Sequence, residues 1–128
     1  MLMCADEYNR RAEVPEVEAA IERAKDIVCG STDYIHMRCL DPDSWGFMRS
    51  FRIHVEDIAD AIIRLRVADY NTTSCKINYP DAHVFGVIIP LFSLRDEVYL
   101  KFSFDRSGIY IEMFSCHEPK RKLEHPYR

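Results

Sequence analysis

Residues 97–119 read EVYLKFSFDRSGIYIEMFSCHEP, and they decide the fold. Val98, Leu100, Phe102 and Phe104 alternate with Tyr99, Lys101 and Ser103, the period of a strand with one buried and one open face. Arg106-Ser107-Gly108 reads as a turn, and IYIEMF beyond it alternates again, so the stretch is an antiparallel hairpin. In the register that such a turn sets, Phe104 faces Ile109, Lys101 faces Glu112 and Tyr99 faces Phe114. The second strand then closes on Ser115, Cys116, His117 and Glu118, where a Gly, Asn or Pro turn signal is usual. Strict alternation from Ile109 sends His117 to the core side with Leu100. A bulge between Met113 and Ser115 turns it instead onto the open face beside Tyr99. Without the bulge, His117 is a strand-end histidine.

Outward from the hairpin, HVFGVIIPL (83–91) is a further strand ending near Pro90, and residues 72–79 form a more polar one. Upstream of residue 72 the period changes to helical. Val17, Ala20, Ile21, Ala24 and Val28 share one face of a helix between Pro15, suited to a first helical position, and Gly30, suited to a C-terminal cap. Val55, Ile58, Ala59, Ile62 and Leu65 mark a second long helix. Between them, 34–39 is a short strand, and Ser44 caps a short helical turn bearing Trp45, Phe47 and Met48. The expected fold is α+β, with N-terminal helices on one face of a C-terminal antiparallel sheet, in one domain over residues 1–128.

Composition excludes several classes. A chain 48% hydrophobic and 30% charged is neither disordered nor collagenous, and no run of apolar residues is long enough to span a bilayer. MLMCADEYNRRAE lacks a signal-peptide hydrophobic stretch, so a cytoplasmic location without a membrane partner is expected. The five cysteines are unpaired in number and form no Cys-x-x-Cys, which reads as reduced thiols. The five histidines show no ligand spacing, so neither metal nor cofactor is expected. The net charge of -4 argues against phosphate binding, but it is uneven: residues 1–70 carry 9 Lys and Arg against 14 Asp and Glu, residues 71–128 carry 8 against 7. The one basic run, Lys120, Arg121 and Lys122, is either a solvated terminus, the commoner reading, or a phosphate contact.

DIADAIIRLRVADY, the strand with VFGVIIP, EVYLKFSF, the ending FSCHEP and the tail HPYR follow one another in an order that resembles the motility quorum-sensing regulator (MqsR) family of bacterial toxins. The resemblance covers roughly residues 17 to 127, with VYLKF its closest piece. It implies a RelE-like fold and a metal-independent, sequence-selective endonuclease of single-stranded mRNA, the toxin of a type II toxin-antitoxin pair held inactive by its antitoxin. The family's sheet-borne Tyr falls on Tyr99 and its C-terminal basic residue on His117. Its Lys after the second helix and its Gln in the next strand fall near Thr72 and Phe85, which leaves Lys76 or His83 to substitute.

The chemistry of such cleavage suits these residue types. The ribose 2′-hydroxyl attacks the adjacent phosphate, which calls for a base, an acid for the leaving 5′-oxygen, and cationic donors. Imidazole titrates nearest working pH, so His117 is the natural acid or base. Lys101 would stabilise the phosphorane, Tyr99 would orient the phosphate or stack on a base, and Glu118 would hold the imidazole tautomer. Plainer readings stand beside these: Lys101 as half of an ion pair with Glu112, Tyr99 as half of a surface aromatic pair, and the whole chain as a non-catalytic acidic binding or inhibitor protein on the same fold.

Overall fold

The computed structural model describes residues 7–39, 41–91 and 96–128. Helix α1 (Val14–Gly30) begins with Pro15, whose missing N–H has no partner to lose in a first turn, and buries Val17, Ala20, Ile21, Ala24 and Val28 as its periodicity requires. Helix α2 (Pro42–Ser50) corrects one expectation: its cap is Asp41, whose carboxylate accepts from the Ser44 N–H at 2.9 Å. A carboxylate directly before Pro42 fills the capping position, and Ser44 lies inside the helix, fully buried. Helix α3 (Val55–Ile63) opens with the His54 N–H donating to Asp57 at 2.8 Å and buries Ile58, Ala59, Ala61 and Ile62.

The strands are β1 (Glu7–Arg10), β2 (Ile35–Met37), β3 (Tyr70–Lys76), β4 (Ala82–Val87), β5 (Val98–Phe104) and β6 (Ile111–His117). They form one open sheet in the order β1-β3-β4-β5-β6-β2. Its four inner strands are antiparallel and C-terminal, as the alternation predicts. Both outer strands come from the N-terminal half, and β2 lies parallel to β6, so the sheet is mixed and not purely antiparallel. The sequence gives no sign of β1, because EYNR has no apolar alternation; its backbone pairing to β3 creates it. β4 stops at Val87, short of the expected Leu91.

Helices cover one sheet face. Val17, Ile21, Ile58 and Ile62 join Phe85, Leu100, Phe102 and Met113 in a single buried cluster. Cys39, Cys75 and Cys116 are buried and Cys29 is exposed, all as free thiols; Cys4 lies outside the described residues. The opposite face carries Tyr99, Lys101 and Ser103 between the outer strands.

Candidate functional site

The hairpin register differs from the expected one, and the difference builds the site. The turn is wider than Arg106-Ser107-Gly108: Asp105 accepts from the N–H groups of Ile109 and Tyr110, each at 3.1 Å, and its own N–H donates to the Tyr110 carbonyl at 3.0 Å. Gly108 sits at φ +77, where a Cβ would also strike Arg23. Phe104 therefore faces Ile111 and not Ile109, a slip of two residues that leaves every side chain on its face. A second shift follows. Phe102 pairs with Met113 but Lys101 pairs with Ser115, so Phe114 is an extra residue, the bulge on which the open-face reading of His117 depends. Burial records it: Ile111 and Met113 are two apart, and the next fully buried residue is Cys116, three further on.

Groups around the bulge are hydrogen-bonded from elsewhere. The Arg38 N–H donates to the Met113 carbonyl at 2.7 Å, and the buried Ser44 hydroxyl accepts from the Cys116 N–H at 3.0 Å. An unmet buried donor costs about 1–3 kcal/mol, so α2 helps hold the irregular strand. Lys101 thus stands opposite Ser115; Glu112 bonds instead to Arg38 at 2.8 Å and to His36 at 3.3 Å, which removes the expected Lys101–Glu112 pair. Tyr99 faces His117 and not Phe114. Their rings stack at 4.6 Å between centroids and 8° between planes.

His117 is half-buried on the open face, and its Nδ1 lies 2.7 Å from the Glu118 carbonyl oxygen. A carbonyl only accepts, so Nδ1 carries the proton and Nε2 of the neutral ring presents its lone pair. The tautomer is held by the main chain of Glu118, not by its carboxylate. Burial, with Glu7 and Asp41 adding to it, raises the Tyr99 phenol above its ordinary value, so it is a neutral hydrogen-bond donor. Cys116 points into the core and burial pushes its thiol up to about 12, which makes it no nucleophile.

Tyr99, Ser115 and His117 form the floor of an open groove of about 790 Å³ whose walls carry Arg11, Lys120, Arg121 and Lys122. Arg11, Arg121 and Lys122 are exposed and make no ion pair among the described residues. Lys120 meets Asp43 at 3.2 Å with both side chains in water, a contact a phosphate can replace. Arg10 also lines the groove, but Glu16 and Asp81 already hold its guanidinium. The basic run itself is exposed, as its composition favours, but the chain just beyond it is anchored. The Glu124 carbonyl accepts from Asn71 at 2.7 Å, His125 meets Glu97, and Tyr127 stacks on Tyr70 while donating to the Ala12 carbonyl at 2.5 Å. Gly86 makes room for this strap, since a Cβ there would collide with Glu97 and His125.

Not every expected residue joins this groove. Thr72 lines it, but Phe85 is fully buried in the core. Lys101 and Lys76 open onto a neighbouring hollow of about 520 Å³. His83 is buried on the helix side, its Nδ1 2.9 Å from the Thr73 hydroxyl, and burial lowers its proton affinity despite nearby Glu16 and Asp81. It does not reach the groove because its neighbour Phe102 across β5 faces the core. Among the described residues, no three His, Cys, Asp or Glu side chains converge to hold a metal ion, and no helix is long and apolar enough to cross a membrane.

Sequence reasoning missed Arg11 and Ser44. Arg11 follows a strand that only pairing reveals, and Ser44 showed as a cap candidate because its bond to β6 spans 72 residues. No family model matches the chain, and neither a curated protein nor a solved structure matches it.

Proposed function

We propose that the protein cleaves single-stranded RNA without a metal ion, as the toxin partner of a toxin-antitoxin pair on a RelE-like fold. The observation that carries this reading is the Phe114 bulge, which sets His117 against Tyr99 on the floor of a groove whose walls include the exposed cations Arg11, Arg121 and Lys122. Nε2 of neutral His117 takes the proton from the ribose 2′-hydroxyl as the O2′–P bond forms. The P–O5′ bond breaks, and the departing 5′-oxygen takes a proton from solvent in the open groove. Arg11, Arg121 and Lys122 neutralise charge that grows on the phosphoryl oxygens, and the Tyr99 phenol donates a hydrogen bond while its ring fixes the plane of the imidazole. An imidazole so placed contributes about 10²- to 10⁴-fold.

A groove lined by five basic residues and one acidic residue, Glu124, supports phosphate binding on a chain of net charge -4, because phosphate responds to the nearby field more than to the total. The resemblance to MqsR-type toxins supplies the messenger-RNA substrate and the antitoxin; an open sheet face is the surface such a partner would mask. Purified protein in EDTA is expected to fragment single-stranded RNA, and expression alone is expected to arrest growth. RNA left intact under those conditions overturns the reading.

A further inference from the structure

Resting on the RNA-cleaving reading, we propose that the hollow between Tyr79 and Phe114 is a second subsite, in which bases of the same RNA strand stack beyond the cleaved phosphate. The two cavities adjoin on one sheet face. Lys101 and Ser115 are cross-strand partners, next along from Tyr99 and His117; Ser115 lines the His117 groove, whereas Lys101 and Phe114 line the hollow. A strand whose phosphate lies at His117 therefore needs only to pass the bulge to enter it. At about 520 Å³ the hollow is within the size range of small-ligand sites.

Its chemistry is that of a base platform. Tyr79 is 62% exposed and Phe114 is 36% exposed, large aromatic surfaces that the fold leaves in water. Tyr79 is held outward by the β3–β4 turn, where Asn78 takes φ 68 and the Tyr79 N–H donates to the Lys76 carbonyl at 3.1 Å. Lys76 stands over the Tyr79 ring at 5.1 Å, and Lys101 makes no ion pair among the described residues, so two ammonium groups are placed for phosphates. The carboxylates nearby are engaged within the protein: Glu112 by Arg38 and His36, Asp105 by its own turn. Glu7 remains on the rim, 3.4 Å from the Ser74 hydroxyl. Exposed aromatic faces beside free cations suit unstacked bases of a single strand, not a duplex whose bases are hidden.

The test is binding of 5′-fluorescein-labelled 12-nucleotide single-stranded RNA to full-length protein, followed by fluorescence anisotropy. Phe114→Ala and Tyr79→Ala are each expected to weaken binding about 5-fold or more, and Phe114→Tyr and Tyr79→Phe to restore it. Lys101→Gln should lower the slope of log affinity against log salt by about 0.7, one phosphate contact on a single strand. Both aromatic side chains lie outside the core, and matching thermal melts verify folding of each variant. Affinity indifferent to the Phe114→Ala/Tyr79→Ala double variant, with RNA still cut, overturns the subsite, leaves the cleavage reading standing and gives the patch to a protein partner. RNA that binds through both aromatics but is never cut keeps the subsite and removes the cleavage reading. Absence of any binding overturns both.

Discussion

His83 and His117 are both strand histidines whose Nδ1 is hydrogen-bonded, and they end in opposite environments. His83 sits in an unbroken part of β4, so alternation buries it beside Thr73, and burial favours its neutral form. His117 lies beyond the Phe114 bulge, so the same alternation, offset by one residue, delivers it to the open face against Tyr99. Residue type and strand membership are the same in the two regions; one inserted residue separates a core group from a candidate base.

The largest effect expected from that contrast is on cleavage. His117→Gln should lower the cutting rate about 10²- to 10⁴-fold while RNA affinity shifts by less than about 3-fold, since proton transfer is lost and the cations remain. His83→Gln should keep cutting and lose thermal stability. Equal loss of cleavage in both variants would erase the distinction. Ser44→Ala sharpens it from the structural side. Leaving the buried Cys116 N–H without its acceptor should cost about 1–3 kcal/mol in denaturant unfolding and slow cleavage, as the bulge beneath His117 loosens. A variant as stable and as active as the parent would show that the bulge does not depend on α2.

Smaller effects follow. Tyr127→Phe removes the bond to the Ala12 carbonyl and should cost about 0.5–1.5 kcal/mol, with weaker RNA binding because the strap behind Lys120, Arg121 and Lys122 loosens. The smallest is a pH slope at His83. Burial lowers its proton affinity in the folded state, so below the ordinary imidazole value of about 6.5 the unfolded chain binds a proton that the folded chain does not. Stability should fall as pH drops through that value and level off once folded His83 also protonates. Glu16 and Asp81, the carboxylates facing it, are held low chiefly by Arg10, and their contribution persists until the pH falls through their folded values. His83→Gln should flatten the upper part of the slope only.

Elements with strong apolar period were legible in the sequence. α1 and α3 match their expected spans within two residues, and β5 was read to within one residue at each end, because burial on one face leaves a period that local chemistry cannot hide. What depended on partners distant in the chain was not legible. β1 exists only by pairing with β3, and although a strand at 34–39 was expected, its parallel place beside β6 was not. The bulge was legible as a condition, since apolar Met113 followed by Phe114 and Ser115 fits either register, and the choice rests on Arg38 and Ser44 reaching β6 from elsewhere. Tyr99, His117 and the basic run share a groove; alternation placed Lys101 on the same open face, where it lines the neighbouring hollow, whereas Lys76 and His83 were drawn in by charge and type, which do not report a face.

The identity of the RNA ends tests the central claim most directly. Attack by the 2′-hydroxyl, with His117 taking its proton, leaves a 2′,3′-cyclic phosphate that opens to a 3′-phosphate. Fragments made in EDTA by the wild-type protein, and lost with His117→Gln, are predicted to end that way by mass spectrometry. Fragments ending in 3′-hydroxyl, or cyclic ends made equally well without His117, would contradict it.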